Sequence, residues 1–109
     1  MHEMAITQGV VDTVRERIGE ATVTVVRLEI GRLSGVVADS VRFCFEVVAD
    51  GTPLSGARLD IDEPAGRARC NDCGCDFTLD DLILLCPCGS ADVRVLGGRE
   101  LRIMSVEVA

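Results

Sequence analysis

The sequence predicts an α+β fold: a small three-stranded sheet with two helices, plus an inserted zinc-ribbon-like domain. Three observations point there. Apolar residues recur at helical spacing in two segments of the first half, and three other segments alternate apolar and polar residues as strands do. Two closely spaced cysteine pairs lie between the second and third of those strands.

From Glu3 to Ile18, the residues Ile6, Val10, Val14 and Ile18 recur every four positions with Val11 beside them. Arg15, Glu16 and Arg17 keep off most of that stripe, so the segment is an amphipathic helix that ends at Gly19. Thr22 to Ile30 is dense in β-branched residues, and Val26, Leu28 and Ile30 alternate with Arg27 and Glu29 in the manner of a strand buried on one face. Gly31 to Gly35 is a turn region. Asp39 or Ser40 is expected to cap a second helix carrying Val41, Cys44, Phe45 and Val48 on one side, with Gly51 and Pro53 stopping it.

Ala57 to Glu63 alternates again, placing Leu59 and Ile61 between Arg58, Asp60 and Asp62, and Pro64-Ala65-Gly66 closes this second strand. In the last segment, Arg99 to Val108, Leu101 and Ile103 share one phase and Val106 and Val108 the other. That slip predicts a bulge near Met104 and Ser105. Between these two strands, the glycine-bracketed stretch 66–98 holds five of the six cysteines. The expected organisation is a discontinuous α/β domain over 1–65 and 99–109, interrupted by a metal-binding domain over 66–98.

A chain of 109 residues fits one domain, or one with a small insertion, and its modest core makes help from a metal plausible. Hydrophobic residues at 48% and charged residues at 27% are the composition of a globular protein rather than a disordered one. No apolar run approaches the roughly 18 residues of a membrane helix. The acidic N-terminus, without a basic region, does not read as a signal peptide, so a cytoplasmic protein is expected. A net charge of −7 argues against duplex binding. All 11 basic residues are arginine, so a P-loop cannot be written, and any nucleotide-driven step belongs to a partner.

In a reducing compartment the cysteines are metal ligands or reactive thiols before they are disulfides. Cys70-Asn71-Asp72-Cys73-Gly74 is a knuckle whose two-residue spacing lets both thiolates reach one ion, with Gly74 permitting the tight turn. Cys86-Pro87-Cys88-Gly89 is a second, shorter one, C-x-C, whose turn must be tighter. The set Cys70, Cys73, Cys86 and Cys88 keeps a knuckle at each end and is favoured; Cys75 either replaces Cys73 or rests beside the site as a free thiol. A closed set of four sulfurs is a structural zinc environment, and a rubredoxin-type iron shares the spacing. Cys44 reads as a buried small hydrophobe. Within 66–98, Arg67, Arg69 and Arg94 face five aspartates, a balance that repels phosphate, and Phe77 reads as the small core of the ribbon.

His2 is the only histidine. The α-amine of Met1, the backbone nitrogen of His2 and its imidazole can close fused rings around one ion, a planar nitrogen set suited to Ni(II) or Cu(II), with Glu3 as an oxygen donor. The alternative is a solvated imidazole and a Glu3 placed in the first helical turn, where the macrodipole favours it. With one His, no Lys and no Tyr, little remains for acid–base or nucleophilic chemistry beyond Cys44 or Cys75 as a reactive thiol, and no enzyme is expected.

The ordered set of segments resembles the HypA/HybF family of hydrogenase maturation nickel chaperones over essentially the whole chain. Its carriers are Met1-His2-Glu3-Met4, the run Leu28 to Val36, Phe45-Glu46, Cys70 to Gly74, Cys86 to Ser90, Gly97 to Ile103 and Ser105-Val106-Glu107. The resemblance implies that His2 binds nickel with Glu3 and the Met1 amine, and that Cys70, Cys73, Cys86 and Cys88 hold zinc. It also implies Ni(II) delivery to the large subunit of [NiFe]-hydrogenase with a GTPase accessory protein and, in some organisms, a role with urease accessory proteins. The family usually has one more residue between Pro87 and Cys88. The rival expectation is a zinc-ribbon protein or nucleic-acid interaction module without nickel transfer.

Overall fold

The computed structural model describes residues 2–109. Among them, in chain order, are α1 (Glu3–Ile18), β1 (Val23–Ile30), α2 (Ala38–Ala49), β2 (Arg58–Asp62), β3 (Gly66–Cys70), β4 (Asp76–Leu79), β5 (Val93–Gly97) and β6 (Leu101–Val108). The strands form two three-stranded sheets, ordered β2-β1-β6 and β4-β3-β5. The expected α+β architecture is therefore present: two helices with a small sheet, and a ribbon built into the chain between β2 and β6.

Two compact units divide the molecule. The first comprises Met1–Leu28, Val36–Ile61 and Arg102–Ala109, and the second Glu29–Gly35 and Asp62–Leu101. In the first unit α1 and α2 pack on each other. Val10, Val11 and Val14 are buried on α1, and Val41, Cys44 and Phe45 on α2. Cys44 thus sits in the core, as a small apolar side chain would. The first helix ends where Gly19, at φ 64°, returns its N–H to the Arg15 carbonyl.

The second helix begins differently from expectation. Neither Asp39 nor Ser40 caps it: Val37 holds the N-cap position, no side chain of its own closes the turn, and the Glu3 carboxylate accepts the Val37 N–H at 3.2 Å. Asp39 lies inside the first turn, paired with Arg42 at 2.9 Å. A long-range acceptor has replaced the local cap, which no spacing rule along one helix can reveal. In β6, Ile103 and Val106 are the half-buried residues, in opposite phases of the alternation.

In the second unit β3 is the central strand, antiparallel to both neighbours, with a register shift against β5 between Arg67 and Ala68. Its core is small: Leu33, Ala68 and Leu79 are buried, with Phe77, Leu84 and Val95 packed against them. Leu33 reaches this core because the loop after β1 is tied down, with Gly31 N–H on Glu100 O at 2.9 Å and Leu33 N–H on Gly98 O at 2.8 Å. At Gly31 a β-carbon would collide with the carbonyl of Gly98, a backbone group that cannot swing away. Gly31→Ala is expected to destabilise this unit by about 2–3 kcal/mol, read as a lower urea midpoint of the metal-loaded protein.

Candidate metal centre

The β3–β4 hairpin builds the first half of the cysteine site. Arg69 and Asp76 face each other across it and form a bidentate pair, Nε to Oδ1 at 2.6 Å and Nη2 to Oδ2 at 3.1 Å. The Arg69 guanidinium holds the Asp76 carboxyl below its ordinary pKa. Between these residues the chain turns through Cys70 to Cys75: Gly74, at φ 76°, donates to Cys70 O at 3.0 Å, and Cys70 N–H donates to Cys75 O at 2.9 Å. Cys73 N–H points at Cys70 Sγ, 3.4 Å away.

The shorter knuckle closes the same way despite its missing residue. Cys88 N–H approaches Cys86 Sγ at 3.5 Å, Gly89 N–H donates to Cys86 O at 2.8 Å, and Gly89 adopts φ 98°. Polar contacts then join the two halves. Asn71 donates to Asp92 through its backbone N–H at 2.9 Å and its side-chain amide at 3.0 Å, and the Ser90 hydroxyl donates to the Asp72 carboxylate. Sequence reasoning missed these tethers, although Ser90 directly after Gly89 is ordinary turn chemistry and offered a signal.

The sulfurs of Cys70, Cys73, Cys86 and Cys88 all lie within 4.8 Å of one another, with Cys70 to Cys88 at 3.8 Å and Cys73 to Cys86 at 3.6 Å. Four sulfurs bound ~2.3 Å from one tetrahedral ion stand ~3.8 Å apart, so the spacing fits a single closed site. Cys75 is not among the four; its residue contributes backbone contacts to the turn.

The neighbouring thiols of Cys73 and Cys86 are driven in opposite directions. Hydrogen bonding from the Cys75 backbone N–H, then from Cys86 and Cys70, brings Cys73 down to about 7. At Cys86 the Cys88 N–H favours the thiolate, but burial and the sulfurs of Cys88, Cys73 and Cys70 outweigh it and push the group up to about 12. Cys73 forms its thiolate readily and Cys86 resists doing so, so a divalent cation is the natural means of making both sulfurs anionic together.

The N-terminal residues lie in the other unit. His2 is exposed at the N-cap of α1, its side chain makes no cap hydrogen bond, and its carbonyl accepts the Ile6 N–H at 2.9 Å. Glu3 is the first helical residue and is only 8% exposed, its carboxylate engaged with Val37 N–H. Met1 lies outside the described residues.

The model of the HypA family, described as hydrogenase/urease nickel incorporation, metallochaperone, matches residues 1–108. The chain belongs to the HypA family.

Among HypA relatives, the hydrogenase maturation factor HypA of Geotalea uraniireducens is 49% identical over 109 residues, covering 99% of each chain. That of Nostoc sp. is 43% identical over 108 residues, covering 99% of this chain and 96% of its own. The HypA fold is shared with a solution structure of the Ni metallochaperone HypA from Helicobacter pylori, at a TM-score of 0.64 and 24% identity, covering 99% of this chain and 97% of that one. In this HypA-family chain the sequence between β2 and β6 carries Cys70, Cys73, Cys75, Cys86 and Cys88. No helix among its described residues is long and apolar enough to cross a membrane.

Proposed function

We propose that this HypA-family protein is a nickel metallochaperone, a carrier rather than an enzyme, that delivers Ni(II) for maturation of [NiFe]-hydrogenase. The supporting observation is the separation of two donor chemistries: four sulfurs gathered at tetrahedral spacing in one unit, and the only imidazole exposed at the start of α1 in the other. In this reading Cys70, Cys73, Cys86 and Cys88 hold a structural zinc, whose binding energy becomes folding energy of the domain over 66–98. His2, Glu3 and the Met1 amine hold the nickel cargo in the domain formed by 1–65 and 99–109. A few nitrogen and oxygen donors at a chain end release an ion more readily than a closed thiolate cage. The proposed receivers are a GTPase accessory protein and the hydrogenase large subunit, with urease accessory proteins as a further route. The proposed compartment is the cytoplasm, where free thiols persist.

Calorimetric Ni(II) titration with X-ray absorption on protein carrying one nickel tests the assignment. Nitrogen and oxygen neighbours at nickel and sulfur neighbours at zinc are expected; nickel among the sulfurs would overturn it. Adding residues before Met1 is expected to change the nickel geometry, because the amine is moved away. Nickel spectra identical with and without the extension would remove the amine from the ligand set.

A further inference from the structure

Between β4 and Cys86 the chain runs Asp80-Asp81-Leu82-Ile83-Leu84-Leu85, and four aliphatic residues in succession are unusual in a loop. Leu84 turns inward onto the core of Leu33, Ala68 and Leu79. Its neighbours turn outward: Leu82 is 61% exposed, Ile83 68% and Leu85 48%. The backbone is held in this form by local bonds. Asp81 Oδ1 accepts the Ile83 N–H at 2.9 Å, Ile83 O accepts the Leu85 N–H at 3.0 Å, and Cys86 N–H is fixed on Ser90 O at 2.9 Å. The apolar tip is therefore braced by local hydrogen bonds, with Leu84 anchored on the core and Cys86 of the four-sulfur group next in the chain. Such preorganisation lowers the ordering cost of binding.

Charge indicates what covers it. Residues 62–101 carry eight carboxylates against four arginines, and Asp80, at the edge of the tip, is exposed. The Asp76 carboxylate within this set is already neutralised by Arg69. An anionic lipid surface is repelled by such a tip, and so is a second copy of a chain whose net charge is −7. An apolar pocket rimmed by cationic side chains matches it in both respects.

We propose that Leu82, Ile83 and Leu85 form a docking tip that inserts into an apolar pocket edged by Arg or Lys on a partner protein. Resting on the delivery reading above, the partner is one of the two proposed maturation proteins. The test uses the full-length, metal-loaded chain with the purified GTPase accessory protein and the purified large-subunit precursor as probes. Leu82→Ser/Ile83→Ser is expected to weaken binding to one of them at least tenfold, with zinc and nickel stoichiometry and melting temperature unchanged. Asp80→Asn is expected to slow association and flatten its salt dependence. Leu84→Ser, by contrast, lowers the melting temperature.

Equal affinities for wild type and the double variant overturn the docking tip and leave nickel delivery standing. Nickel titration that fails while docking persists overturns the delivery reading instead. Binding to phosphatidylcholine/phosphatidylglycerol vesicles that requires Leu82 and Ile83, or a sedimentation mass that falls in the double variant, assigns the tip to lipid or to a second copy and overturns the proposal. Failure of the wild-type protein to bind either probe overturns it as well.

Discussion

Cys86→Ser is expected to abolish zinc retention and unfold the cysteine-bearing unit while the helices persist. Cys86 is buried, its sulfur lies 3.6 Å from that of Cys73, and it accepts the N–H of Cys88, so its loss removes one wall of the site and the support of the short knuckle. The apolar core of this unit, three buried side chains with three half-buried ones, cannot hold it unaided. Structural zinc contributes on the order of 10–16 kcal/mol in small domains, far more than such a core. Metal analysis is expected to show less than a tenth of the wild-type zinc. Amide NMR signals from 66–98 should collapse toward random-coil positions, whereas those of α1 and α2 keep their dispersion. Cys75→Ser is the matched control and is expected to retain zinc, since Cys75 stands outside the four-sulfur group. A Cys86→Ser protein with one tightly held zinc and an intact ribbon spectrum would refute the assignment.

His2→Ala is expected to weaken Ni(II) binding at least 100-fold, about 3 kcal/mol or more, with fold and zinc content unchanged. The exposed imidazole makes no helix cap, and the one contact of His2 that matters to α1, its carbonyl to Ile6 N–H, is retained by alanine. Calorimetry, zinc analysis and thermal melting of the same sample separate the two effects. An unaltered nickel affinity would move the cargo site away from the N-terminus. Glu3 cannot serve as so clean a probe. Its carboxylate also accepts Val37 N–H at the start of α2, so Glu3→Ala should lower the melting temperature as well as alter nickel binding.

Much of this molecule is visible along the chain. The four-residue recurrence of Ile6, Val10, Val14 and Ile18 finds its helix, with Val10 and Val14 buried and the two isoleucines half-buried at the ends. Val26, Leu28 and Ile30 are all buried on β1, as their alternation demands. The cysteine spacing likewise selects four sulfurs that the fold brings within reach of one another. Leu33, by contrast, reads as part of a turn, yet it occupies the core of the ribbon because Gly31 and Gly98 let two backbones meet. The start of α2 is misread for a related reason: the acceptor for Val37 N–H is 34 positions away in sequence.

What can be read from residue order alone is whatever depends on short chain separations: helix and strand periods, knuckle spacing, and the gathering of sulfurs within each cysteine knuckle. Those properties follow from fixed backbone geometry over a few residues. Three-dimensional packing settled the rest: Glu3 serving a distant helix, Leu33 filling the ribbon, Cys75 left outside the four-sulfur group, and Leu82 and Ile83 turned outward while Leu84 turns in. Each of these is a contact across many residues, whose partner is chosen by burial and hydrogen-bond satisfaction of the whole unit, and no local pattern encodes that choice.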